Sequence, residues 1–147
     1  MSDSPESRGL RILVVENDFD ILKWLRLYLE TRGHIVFTAR TLREAVASFT
    51  TSESDVLISD IGLPDGNGWE LMEQLRPGEG VFAIAMSGFG MNADNARSRA
   101  VGFRHHLLKP FKLADLNSML AEAAKELAHR SEGVVHLPWF CGHAASK

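Results

Sequence analysis

Residues 11–20, RILVVENDFD, decide the reading of this chain. A short run of aliphatic and β-branched side chains ends abruptly in Glu16, Asn17 and Asp18, the pattern of a buried strand that stops at a polar edge. The same character returns in HIVFTA (34–39), DVLIS (55–59) and VFAIAM (81–86), and more weakly in RHHLL (104–108). After the first strand, Ile21, Trp24, Leu25, Tyr28 and Leu29 recur at helical spacing, and Gly33 supplies a C-terminal stop. This spacing predicts a helix whose Trp24 stripe packs on a sheet, with Phe19 and Leu22 turned outward beside the strand end. Further helices are expected over 41–50, over 68–76 before Pro77-Gly78, over 92–101 and over the Ala- and Leu-rich run 112–130. Five β-α units in succession imply a doubly wound parallel α/β sheet with right-handed crossovers and helices on both faces. In such a sheet the ligand crevice lies beyond the carboxyl ends of the strands.

The totals narrow the function. With 147 residues, 45% hydrophobic and 24% charged, the chain fits one globular core and leaves almost no room for a second folded module. A net charge of -3 without a basic stripe gives no electrostatic reason to bind nucleic acid. No apolar run approaches the ~20 residues of a membrane span, so no membrane crossing is expected. The leader, residues 1–9, lacks the basic and apolar parts of a secretory signal, and Cys141 stands alone, which together point to the cytoplasm. The tail, 131–147, carries His136, Trp139, Cys141 and His143 without a recognised zinc spacing, and reads as a flexible end or a docking segment built on VVHLPWF.

The chemistry gathers where the strands end. Glu16 and Asn17 follow the first strand, Asp60 the third, Ser87 the fourth, and Lys109 with Pro110 the fifth. Oxygen-bearing side chains in one crevice suit a hard cation such as Mg2+, and a hydroxyl beside an ammonium suits a phosphoryl group. Singly, each residue has an ordinary explanation: Asp at a strand end is commonly a helix cap or turn residue, and PDGNG alone is a generic turn.

In order and at these spacings, VVEND, LISDIGLPDGNGWEL, AMSGFG and HLLKPF resemble the receiver domain of two-component response regulators over about residues 10–130. The resemblance implies a flavodoxin-like sheet of five parallel strands in the order 2-1-3-4-5. It implies that Asp60 is the phosphoacceptor, that Glu16, Asn17, Asp60 and the carbonyl of Gly62 position Mg2+, and that Lys109 pairs with a phosphoryl oxygen. Ser87 matches the switch hydroxyl and His106 the reorienting aromatic position, while a cis peptide is implied before Pro110. The donor would be a histidine kinase or histidine phosphotransfer protein, with Phe19 and Leu22 in the contact. Output would pass by protein contact to an unidentified target, from a monomer or weak dimer. On this reading the chain is a phosphoacceptor that promotes its own phosphorylation and slow dephosphorylation, since Gly62 and Phe89 offer no side chain to orient water.

Two other readings stay open. Asn17 departs from the family's acidic pair and supplies one negative charge fewer, which would suit a receiver-like interaction module that is not phosphorylated. A haloacid-dehalogenase-like phosphohydrolase would use the same sheet, but it needs a second Asp two residues after the nucleophile, where this chain has Gly62.

Overall fold

The computed structural model describes residues 9–88 and 95–135. Five strands, β1 (Arg11–Val15), β2 (Ile35–Ala39), β3 (Val56–Asp60), β4 (Phe82–Ser87) and β5 (Phe103–Leu108), form one sheet. Their order is β2-β1-β3-β4-β5 and every pair is parallel. Five helices alternate with them: α1 (Phe19–Thr31), α2 (Leu42–Ser52), α3 (Gly68–Leu75), α4 (Asn95–Ala100) and α5 (Leu113–Val135). Each strand lies within a residue of its expected place. Residues 92–94 of the expected fourth helix, Phe89, the leader to residue 8 and the tail from residue 136 lie outside the described residues. The helix α5 runs on to Val135, five residues into the segment read as tail.

The central strands are apolar on both faces because helices cover both. Ile12, Val14, Ile58, Ile84 and Met86 meet Leu22, Leu25 and Leu29 of α1 and Leu116 and Leu120 of α5. The alternate residues Leu13, Val15, Leu57, Ala83 and Ala85 meet Leu42 and Ala45 of α2 and Leu71 and Met72 of α3. Each fully buried Leu or Ile in these layers contributes about 1.5–3 kcal/mol of transfer free energy. The sheet therefore sits between two separate apolar layers, and polar chemistry is left only at its ends.

Two expectations for α1 need correction. Leu22 is buried at 6% exposure and does not face outward, whereas Trp24 is 47% exposed and is not core. The helix rests on Leu22, Leu25 and Leu29, spaced i, i+3 and i+7; the neighbouring row 21-24-28 has the same period and is displaced toward solvent. Trp24 instead stacks on Tyr28 at 5.6 Å and leans on Phe111 from the loop after β5 at 6.4 Å. Phe19 is exposed as expected, at 58%. Asp18 caps the helix by accepting from the amides of Asp20 and Ile21. Gly33, at φ 93°, makes the left-handed turn that ends it.

Candidate functional site

Backbone bonds that run one residue past each strand fix the site. The Glu16 amide donates to the Ala39 carbonyl at 3.0 Å, Ile61 to Met86 at 2.8 Å and Lys109 to Ser87 at 2.8 Å. These bonds hold Glu16, Asp60 and Lys109 at the carboxyl end of the sheet, at β1 and the strands on its β3 side, next to the point where the connections diverge to β2 and β3. The Lys109–Pro110 peptide is cis, as expected.

Three of the anticipated side chains meet. Lys109 Nζ donates to Glu16 Oε1 and, at 3.2 Å, to Asp60 Oδ2. Glu16 and Asp60 are 2% and 8% exposed, so two buried carboxylates share one ammonium. Such charges are tolerable only because they are paired. Glu16 Oε2 also accepts from the Asp18 amide at 2.9 Å. Burial and then the Glu16 charge push the Asp60 carboxyl from 3.8 up to about 6, against the pull of Lys109. Burial works against the Lys109 ammonium, but the Glu16 hydrogen bond and the two carboxylates outweigh it and hold its pKa above the ordinary lysine value.

The other anticipated residues are arranged around this triad. Ser87, fully buried at the end of β4, shares a 2.7 Å hydrogen bond with His106 Nε2. A register shift between Ala83 and Ile84 opposite β5 adds one residue to that strand, so His105 and Leu107 meet the α5 side while His106 joins Ser87 on the other. Burial lowers the pKa of the His106 imidazole from its ordinary value, which disfavours the charged ring. Asn17 is exposed, and its Nδ2 lies 3.4 Å from the Arg40 carbonyl, which leaves Oδ1 available. Gly62 begins a two-residue strand, Gly62–Leu63, paired with Gly66–Asn67.

Several contributors were not anticipated. Arg40 donates from Nη2 and Nε to the Asn17 carbonyl at 3.0 and 3.3 Å and lies 5.6 Å over the Phe19 ring, pinning the loop between β1 and α1. Asp65 accepts from the amides of Leu42 and Arg43, which ties the loop after Asp60 to the start of α2 and holds its carboxyl below the ordinary value. Gly68 approaches the same loop so closely that a Cβ there would lie 2.8 Å from the Asp60 carbonyl oxygen. Its amide bonds the Ile61 carbonyl at 2.7 Å.

Among the described residues no three His, Cys, Asp or Glu side chains gather in a metal-holding group. The crevice offers two carboxylates, and further oxygens have to come from the Asn17 amide and the backbone. That all-oxygen set fits a hard divalent cation that keeps several waters and is unsuited to a soft one.

Fold and crevice together define a flavodoxin-like α/β chain with a carboxylate and ammonium cluster at the switch point of its sheet. The chain belongs to the response regulator receiver domain family, whose model matches residues 12–121. It is therefore a two-component receiver, a class of phosphoacceptor signalling domain. The KDP operon transcriptional regulatory protein KdpE of Escherichia coli is 34% identical over 114 residues, covering 78% of this chain and 51% of that protein. This chain thus spans about half the length of that relative. An uncharacterized 14.6 kDa protein of Leptolyngbya boryana is 34% identical over 102 residues, 67% of this chain and 78% of the other. A CheY-like receiver domain protein of Methanospirillum hungatei superposes with a TM-score of 0.75 at 30% identity, covering 83% of this chain and 98% of that one. Among the described residues, no helix is long and apolar enough to cross a membrane.

Proposed function

We propose that the chain is a phosphorylation switch in which Asp60 accepts a phosphoryl group from a phosphohistidine of a histidine kinase or phosphotransfer protein. The observation that carries this reading is the single Lys109 ammonium shared between the buried carboxylates of Glu16 and Asp60. An Asp60 carboxylate oxygen attacks phosphorus as the nitrogen to phosphorus bond of the donor breaks, giving an acyl phosphate and a free imidazole. Above pH 6 Asp60 is mostly ionised and ready to attack. Lys109 is already beside it and can follow a phosphoryl oxygen as a point charge. Glu16, Asp60, the Asn17 Oδ1 and the Gly62 carbonyl would hold Mg2+, which neutralises charge developing on the phosphoryl oxygens when bound. Asn17 in place of a carboxylate weakens that hold without removing the ligand.

Ser87 and His106 supply the switch: a phosphoryl group on Asp60 competes with His106 for the Ser87 hydroxyl. The donor's docking surface is the apolar rim of Phe19, Trp24 and Phe111, which replaces the Phe19 and Leu22 pair because Leu22 is buried. Gly62 supplies no acid or base to expel phosphate, which argues against a haloacid-dehalogenase-like phosphohydrolase and for a slowly lost acyl phosphate. The test is incubation with Mg2+ and acetyl phosphate, followed by intact mass. One added phosphoryl group, absent in Asp60→Asn, is the expected result. No mass gain and no Mg2+ binding at millimolar concentration would favour an interaction module that is not phosphorylated.

A further inference from the structure

The extra residue in β5 brings His106 to the α4 side, where a small cavity of about 140 Å³ lies between the two elements. Asn95, Ser98 and Arg99 of α4 line it together with His106. Ser98 is 3% exposed, and its oxygen accepts from Trp69 Nε1 at 2.9 Å, which leaves the hydroxyl proton to donate. His106 Nδ1 is enclosed without a hydrogen-bonding partner, while Nε2 engages Ser87. Orphaned buried polar atoms are uncommon and call for a partner. No acidic side chain lines the cavity among the described residues.

In a chain whose net charge is -3, residues 95–109 contain Arg97, Arg99, Arg104 and Lys109 and no Asp or Glu, although Lys109 is held by Glu16 and Asp60 away from the cavity. Arg104 is paired with Glu126 and Glu122 of α5, and Arg97 lies 4.1 Å over the Trp69 ring. Arg104 and His105 also line the cavity but are held by glutamates of α5, which leaves Arg99 as the lining cation without a carboxylate among the described residues. The volume is well below the roughly 300–1,000 Å³ of small-molecule sites, which excludes a nucleotide but admits one side-chain carboxylate.

We infer that this cavity receives an Asp or Glu side chain of a protein partner, and that it does so in the form of the chain whose Asp60 is unmodified. The second half rests on the phosphorylation reading above. A carboxylate against Nδ1 fixes the tautomer with its proton there, so Nε2 accepts from the Ser87 hydroxyl. That proton is then committed to His106 and withheld from a phosphoryl oxygen. Once a phosphoryl group takes Ser87, a ring kept inward by the carboxylate buries an unsatisfied Nε2. Partner and phosphoryl group therefore oppose each other through one imidazole, and by reciprocity the partner resists phosphorylation as much as phosphorylation expels the partner. A Phe or Tyr ring at 106 has no ring nitrogens to link the two partners and cannot carry this coupling.

The experiment titrates an N-acetylated, C-amidated tetraglutamate peptide into the full chain, metal-free and again with Mg2+ and BeF3−. Amide and His106 ring nitrogen shifts are followed by NMR. The expected results are shifts at α4 and β5 with Nδ1 protonated, and binding about tenfold weaker in the BeF3− form. Arg99→Gln should weaken the peptide about tenfold while leaving BeF3− binding intact. His106→Phe should abolish the difference between the two forms. Absence of shifts at α4 and β5, indifference to Arg99→Gln, or equal affinity in both wild-type forms overturns the inference. Inorganic phosphate binding as tightly as the peptide overturns the assignment to a protein carboxylate. A chain that takes no BeF3− defeats the phosphorylation reading alone, and the metal-free titration still decides the cavity.

Discussion

Removing the proposed phosphoacceptor should stabilise the fold. Asp60 is 8% exposed, and burial followed by the charge of Glu16 raises its carboxyl from 3.8 to about 6 despite Lys109. At about 1.36 kcal/mol per pH unit, that displacement corresponds to about 3 kcal/mol against the ionised form well above pH 6. Part of the carboxylate still meets solvent at the crevice, which reduces the effect to about 1–2 kcal/mol. Asp60→Asn deletes the charge and keeps an oxygen for Lys109, whose ammonium remains paired with Glu16. The expected result in chelator at about pH 8 is a gain of about 1–2 kcal/mol, read in urea as a midpoint higher by about 0.5–1 M. The sign follows from linkage: a carboxyl raised on folding destabilises fully above its folded pKa, and the penalty fades as pH falls through 6 toward 3.8. The advantage of the variant should therefore shrink by about pH 4.5. A variant less stable than wild type at pH 8, or a difference that does not change with pH, refutes the argument.

Other perturbations test separate parts of the structure. His34 Nδ1 accepts from the Leu10 amide at 3.0 Å, and burial and then Arg32 lower its pKa, so folding favours the neutral ring. Stability from this group is complete above 6.5 and declines as pH falls below it; His34→Asn, which can offer an oxygen in the same place, should remove that decline from paired urea titrations in the Asp60→Asn background. Gly68→Ala drives a Cβ to 2.8 Å from the Asp60 carbonyl and should cost about 2 kcal/mol or more in thermal or urea melts, with lower phosphoryl uptake. Trp69→Phe removes the bond to Ser98 and should lower stability by about 1 kcal/mol and increase amide exchange across α4. Leu25→Ala, in the core row of α1, should cost about 2–5 kcal/mol, while Trp24→Ala should cost less and slow transfer from the donor.

The sheet was legible because its strands are covered on both faces. Continuous apolar runs such as VFAIAM have little alternative, and the polar residues that stop them mark the crevice. Glu16, Asp60 and Lys109 could be found for the same reason: Glu16 and Lys109 directly follow their strands and Asp60 closes its own, where each apolar run stops. Leu22 and Trp24 could not be sorted, because two adjacent apolar rows of α1 have the same period and only contact with the sheet and Phe111 chooses between them. Arg40 and Asp65 look like surface residues in sequence. Their partners are the Asn17 carbonyl and the amides of Leu42 and Arg43, at separations of 23, 23 and 22 residues, so nothing local announces them. The side on which His106 lies depended on a register shift that RHHLL does not reveal.

That shift also makes the length of β5 matter in a position-dependent way. Phe103 pairs with Ala83 and His105 with Ile84, so Arg104 is the surplus residue between two otherwise regular rungs. Deleting Arg104 would return the strand to simple alternation and keep His106 opposite Ala85, sacrificing only the guanidinium that ties the strand to Glu122 and Glu126. Deleting His105 would do the same with Arg104 opposite Ile84, whereas deleting His106 or Leu107 while the bulge stays open would carry every later side chain to the opposite face and send Lys109 away from the carboxylates. A gap at 104 or 105 in a related chain is thus compatible with an intact site, whereas a gap from 106 onward keeps the site only if the bulge closes with it.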